Sequence, residues 1–172
     1  VHACLPSLEQ ALAEAGPDVS RQLFACGLLL PALVHAGRRE RALQLLATLA
    51  PAAEGHVRDT ALRLFSSGQG LALFAMGRYA DSAAATETAL SIALEQGDLS
   101  GAQLEAGNLV AAYRSTGQLD RAAEQADRVI ALWDRLDRPR STLTMAGLVN
   151  VASLDVDLGR FARALELGML AR

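Results

Sequence analysis

The sequence predicts an all-α protein, a short solenoid of helix pairs repeating at about 40 residues, and three observations lead there. Four glycines, Gly37, Gly77, Gly117 and Gly159, stand 40, 40 and 42 residues apart. Apolar residues follow each at helical spacing. The composition is 51% hydrophobic but only 4% aromatic, dominated by Ala and Leu, which favour helices with closely approaching axes.

The glycines mark the turn inside each pair. A helix ends, and its C′ position needs φ > 0, which glycine adopts without strain. Five residues later comes a small residue, Ala42, Ser82, Ala122 or Ala164, where the two helices should cross. Two residues after the glycine stands Tyr79, Leu119 or Phe161, with Arg39 the exception. The third repeat shows the period best. Leu119, Ala122, Ala123, Ala126, Val129, Ile130, Trp133 and Leu136 form one stripe, with Asp120, Arg121, Glu124, Asp127, Arg128 and Asp134 opposite. In the first repeat the stripe is Ala42, Leu43, Leu46, Leu49, Ala50 and Ala53.

Gly16-Pro17-Asp18, Gly55-His56, Gly97-Asp98 and Asp137-Arg138-Pro139 separate the repeats. The expected order is about nine helices: 5–15, then 18–36 with 39–54, 57–76 with 79–96, 98–116 with 119–137, and 140–158 with 161–172. Residues 1–172 then form one repeat domain, with repeats at 18–56, 57–97, 98–138 and 139–172 after a leading helix. The chain starts on Val1 and stops within a helical pattern, so we expect a fragment of a longer polypeptide, with apolar surface at both ends.

The formal net charge of −3 offers no basic field for a phosphate backbone, so no direct nucleic-acid contact is expected. Arg38-Arg39 and Arg138-Pro139-Arg140 read as solvated turn residues. The longest apolar runs are too short for a membrane span. Two cysteines, Cys4 and Cys26, form no Cys-x-x-Cys and are too few for a disulfide framework, which fits a reducing, cytoplasmic setting.

No catalytic constellation stands out, and we expect a non-enzyme without cofactor or metal. His2-x-Cys4 supplies too few metal ligands. His35, beside a turn glycine, suits a helix C-terminus, with a groove contact as the alternative. Cys26 reads as a buried small hydrophobe. Ser66-Ser67-Gly68-Gln69-Gly70 lacks the lysine of a phosphate loop. Gly27, Gly68, Gly70, Gly107 and Gly147 read as close-contact positions. Pro31 should break its helix, or kink it near 27–31 and widen a groove. Asp155 and Asp157, two apart, face different directions and read as a solvated face, with Asp157 alternatively in a groove.

Asn108-Leu109-Val110-Ala111-Ala112-Tyr113, then Gly117 and Ala122, resemble the tetratricopeptide repeat (TPR). The fourth repeat carries Asn150-Val151-Ala152, Gly159, Phe161 and Ala164, but Asp155 stands where Tyr113 would. The long period and Ala89-Leu90-Ser91-Ile92-Ala93-Leu94-Glu95-Gln96-Gly97-Asp98 resemble the variant of MalT-like and LuxR-type bacterial regulators. The resemblance implies a right-handed superhelical solenoid of antiparallel pairs whose first helices line a concave groove. Carried over, the groove residues are Phe24, Leu28, Pro31 and His35; Leu71 and Phe74; Asn108, Ala111, Arg114 and Ser115; and Asn150, Ser153 and Asp157. The groove is apolar toward the N-terminus and polar toward the C-terminus. Gly27, Pro31, Ser67 and Gly107 leave no clamp for a terminal carboxylate. The implied function is a protein- or peptide-binding scaffold taking a helix or extended segment, as sensor or docking module of a signalling or transcription regulator. A small-ligand (inducer) sensing domain and a self-association module, homo-oligomeric through exposed terminal helices, are the alternatives.

Overall fold

A computed structural model of the chain describes residues 4–170, with side chains for all of these but Thr142 and Leu143. Among the described residues there are nine helices and no strand: α1 (Leu5–Glu14), α2 (Val19–His35), α3 (Arg39–Glu54), α4 (Thr60–Ala75), α5 (Tyr79–Glu95), α6 (Leu99–Ser115), α7 (Leu119–Arg135), α8 (Thr142–Asp157) and α9 (Phe161–Leu170). The order is the one the glycine period predicts.

Each turn glycine is left-handed, with φ of 76°, 81°, 74° and 72° at Gly37, Gly77, Gly117 and Gly159. The amide after each donates back to the carbonyl five residues earlier, Arg38 to Leu33, Arg78 to Leu73, Gln118 to Tyr113 and Arg160 to Asp155, at 2.7–2.9 Å. This is the Schellman closure, and it satisfies carbonyls that the helix end leaves open. The turn between α7 and α8 does the same without glycine: Asp137 and Arg138 take φ of 60° and 52°.

The first helix of every pair is opened by a side-chain cap. Asp18, Asp59, Asp98 and Ser141 accept from the amides of Arg21, Leu62, Gly101 and Thr144. The cap at Asp59 starts α4 at Thr60, three residues later than its expected start at 57.

The chain divides into two compact units, one ending at Ile92 and the other starting at Ala93, with the division inside α5. In the first, α2 packs against α1, α3 and, most extensively, α4. Leu23, Cys26, Leu30, Leu33, Leu46, Leu49, Phe65 and Leu73 make its core. A Cβ added to Gly68 would lie 1.9 Å from the Gly27 carbonyl oxygen, and one on Gly27 would lie 2.4 Å from that of Leu64. Backbone meets backbone there, so glycine is required on both helices.

Pro31 does not break α2, which runs unbroken from Val19 to His35. The expected break is corrected. Proline removes the donor that the Gly27 carbonyl would receive, and that same carbonyl faces Gly68. Tertiary packing against α4 holds the helix together where local chemistry weakens it.

In the second unit α6 packs against α7 and α8, and α8 against α9. Ala106, Leu109, Val110, Tyr113, Ala126, Val129, Leu148 and Leu154 are buried. A Cβ on Gly107 would lie 2.7 Å from the Gly147 Cα. The small residues of the period, Ala42, Ser82, Ala122 and Ala164, are buried throughout. Ser82 is admitted in place of alanine because its hydroxyl donates to the Gly70 carbonyl at 2.8 Å.

Asp155 requires a second correction. It is not on a solvated face but 0% exposed. The Arg163 guanidinium donates to both its carboxylate oxygens at 2.6 Å. Arg160 stands 3.8 Å away, and Arg163 also comes within 3.9 Å of Asp127. The Asp155 hydrogen bonds raise the Arg163 pKa above its ordinary value, against the opposing effect of burial. Asp155 replaces the aromatic residue of the repeat pattern, and a cation from the following helix neutralises it. Asp157 is exposed, as expected.

Candidate functional site

Three large apolar residues of the carried-over groove are exposed on first helices of the first unit: Phe24 at 45%, Leu28 at 43% and Leu71 at 39%. Each lies on a helix whose opposite side is core, so the exposure follows from the 3.6-residue period. Pro31 and Phe74 are half-buried and His35 is exposed. The Phe74 ring leans on Tyr79 at 5.1 Å between centroids. His35 donates from Nδ1 to the Pro31 carbonyl at 2.7 Å, closing its own helix end. A shallow pocket of about 430 Å³ adjoins Phe24, lined also by Ala11, Glu14, Ser20, Arg21 and Ala61.

In the second unit the carried-over residues, Ala111 apart, are polar and mostly half-buried, and the structure joins two of them. Arg114 on α6 donates to the Asp157 carboxylate on α8 at 2.5 Å. Asn150 on α8 donates to the Gly107 carbonyl at 2.9 Å, and Asn108 donates to Glu105 at 3.2 Å. Ser115 is exposed, while Ala111 and Ser153 are half-buried. Asn150 therefore helps to hold α8 on α6.

One constellation escaped the sequence reading, because its members lie 36 residues apart. His56 Nε2 stands 3.3 Å from the Ser20 hydroxyl and 3.2 Å from the Asp59 carboxylate. A nucleophile relay uses both ring nitrogens, one toward the hydroxyl and one toward the acid. Here a single nitrogen meets both, so no relay forms, and the cluster ties α2 to the α4 cap. Burial opposes ionisation of Asp59, but the amides of Leu62 and Ala61 and the His56 ring outweigh it and hold its carboxyl below the usual range.

Cys26 is buried, and burial pushes its thiol up to about 12, so it stays protonated at neutral pH. Cys4 is exposed, and His2 lies outside the described residues. Of the other close-contact glycines, Gly70 faces the Thr86 hydroxyl and Gly147 the Gln103 amide. Among the described residues no helix is long and apolar enough to cross a membrane.

No family model matches the sequence, and no curated protein does. Solved structures do. A single-substitution variant of a Podosopora anserina putative kinesin light chain with nearly identical TPR-like repeats superposes with a TM-score of 0.77 at 18% identity, over 99% of this chain and 84% of that one. The same protein without that substitution gives 0.73 at 19%, over 99% and 85%. BtubC (BKLC) from P. vanneervenii gives 0.73 at 20%, over 99% and 70%. At such identity the likeness concerns fold alone, and the fold of this chain is a TPR-like helical repeat.

Proposed function

We propose that the chain is a protein- or peptide-binding scaffold. The observation that carries this reading is the exposure of Phe24, Leu28 and Leu71 on successive first helices of one unit. Isolated exposed apolar residues need no explanation, but three large ones on two neighbouring first helices do. An amphipathic helix or extended segment with two or three apolar side chains is the matching partner. Within this reading the chain is the sensor or docking module of a cytoplasmic bacterial signalling or transcription regulator. The parent sequence tests that setting: a helix-turn-helix segment or an ATPase domain alongside the repeats supports it.

The groove is tested by affinity capture from the source cell with the native chain and with Phe24→Asp/Leu71→Asp. Partners held by the native chain and lost by the variant support the reading. Equal retention by both removes it.

Self-association is favoured by a separate observation. Phe161, Leu165 and Met169, four residues apart on α9, are 66%, 67% and 62% exposed. Sedimentation velocity of Leu165→Glu against the native chain measures it. A native chain that stays monomeric at high concentration ends this second reading.

A further inference from the structure

In both units a second helix faces the pair that follows it, and the seam between them is filled differently. Counting from the turn glycine, the positions ten, thirteen and sixteen residues on are Asp127, Ile130 and Trp133 in α7, but Ala47, Ala50 and Ala53 in α3. The facing residues differ too. Asp155 and Arg163 close the second unit's seam, Arg163 reaching both Asp155 and Asp127. Their counterparts in the first unit are Leu73 and Asp81, and Asp81 is paired with Arg78 beside its own helix at 2.6 Å. Correspondingly, α3 meets α4 far less extensively than α7 meets α8.

What remains in the first unit is an open seam between α3, α4 and α5. One part, of about 660 Å³, is walled by Leu43, Ala47 and Ala84, and an adjoining part, of about 440 Å³, by Ala53 and Phe65. Ala50, Gln69 and Thr88 line both, so the two are continuous. Each volume falls within the roughly 300–1,000 Å³ of small-molecule sites, which are mostly apolar with a few polar groups. The uncharged polar groups here are Thr88, whose hydroxyl donates to the Ala84 carbonyl, Gln69, half-buried, and Ser66, buried. Neither the Gln69 nor the Ser66 side chain has a hydrogen bond to the described residues. Most charges at the rim are engaged, Arg78 with Asp81, His56 with Asp59, and Arg58 with the Ser91 hydroxyl, and Glu54 adds a carboxylate.

We propose that this seam is a binding cavity for a small uncharged ligand with an apolar body and one carbonyl or amide group directed to Gln69 and Ser66. The apolar body takes the volume that Ile130 and Trp133 take in the other unit. The engaged cations and the Glu54 carboxylate at the rim select against an anionic head group. This site uses none of the first-helix residues assigned above to partner binding.

The test is fluorescence titration of the full chain with prodan, an uncharged naphthalene bearing one ketone. We expect a blue-shifted, saturable signal at one site per chain. Ala50→Ile/Ala53→Trp, which gives α3 the residues of α7, should weaken binding at least tenfold with the melting temperature unchanged or raised. If that variant melts lower, Ala84→Leu from the opposite wall makes the same test. Gln69→Leu should weaken prodan several-fold and leave 2-dimethylaminonaphthalene, which has no carbonyl, unaffected. Absence of a saturable site overturns the proposal, as does prodan binding undiminished by the filling variants. The anionic probe 1-anilinonaphthalene-8-sulfonate, if it binds as tightly and is displaced by the same substitutions, overturns the uncharged class. Phe24→Asp/Leu71→Asp should leave prodan binding intact, so failure here and failure of the scaffold reading are separable.

Discussion

In the first unit α2 and α4 meet almost entirely through backbone and apolar side chains, with the Gly27 carbonyl set against Gly68. In the second, α6 and α8 also cross at glycines, Gly107 and Gly147, but polar rungs flank the crossing: Gln103 to the Thr144 carbonyl, Asn150 to the Gly107 carbonyl, and Arg114 to Asp157. The seams differ in the same sense, alanine-lined in the first unit and closed by Asp155, Arg163 and Asp127 in the second. One repeat pattern thus tolerates two packing chemistries. Apolar contact is non-directional and leaves room where side chains are small. Ion pairs and hydrogen bonds are directional, and each removal leaves a group unsatisfied.

The largest test of this contrast is Arg163→Met. It leaves Asp155 buried without its guanidinium; because Arg163 is itself 38% exposed and Arg160 stays 3.8 Å away, the loss should fall at the lower end of the range for a broken buried pair, about 3 kcal/mol. Asp155→Leu/Arg163→Met, which copies the Leu73 arrangement, should recover most of that. Denaturant melts of the two single variants and the double variant measure the coupling. Additive losses would show that the pair does not act as a unit.

Next in size is the glycine contact. Gly68→Ala forces a methyl onto a carbonyl oxygen and should cost about 3 kcal/mol, the upper range for overpacking. Gly107→Ala, meeting a Cα at 2.7 Å, should cost about 1–2 kcal/mol. Thermal melts rank them. Equal losses would remove the distinction between the two crossings.

A smaller effect, opposite in sign, is expected at the α7–α8 turn. Asp137 is left-handed without being glycine. Asp137→Gly should stabilise by about 1 kcal/mol, raising the melting temperature by roughly 2–4 °C for a chain of this size. No rise would mean that the Asp137 side chain compensates the strain.

The smallest change is expected for Arg114→Ala. Both partners of its ion pair with Asp157 are more than a third exposed. Its loss should cost well under about 1 kcal/mol. A larger loss, read from the same melts, would make the polar rung a structural element of the second unit.

Much of the candidate surface was legible, because Phe24, Leu28 and Leu71 are large apolar residues at positions the repeat leaves outside its core. The seam was not. Leu43 belongs to the apolar stripe of α3 by spacing, yet it is 41% exposed beside the open groove. Helical periodicity assigns a face to each residue. Whether a neighbour covers that face depends on side-chain volumes contributed by other helices. The caps at Asp18 and Asp98 lie within the Gly-containing separators that mark the repeat boundaries, whereas Asp59 lies three residues beyond Gly55-His56, which is why α4 was expected to begin at 57.

By itself the sequence determined the helices, their order and their turns. Those depend on a few neighbouring residues: a glycine free to adopt positive φ, a side chain that caps an amide, an apolar residue every third or fourth place. Only the tertiary structure decided that Asp155 is buried, that α2 continues through Pro31, and that one seam is closed while the other is open. Each of these turns on partners brought together from different helices: Arg163 on α9, Gly68 on α4, and alanines on α3 where α7 has isoleucine and tryptophan. Local chemistry sets backbone conformation, but burial and charge pairing are settled by which surfaces meet.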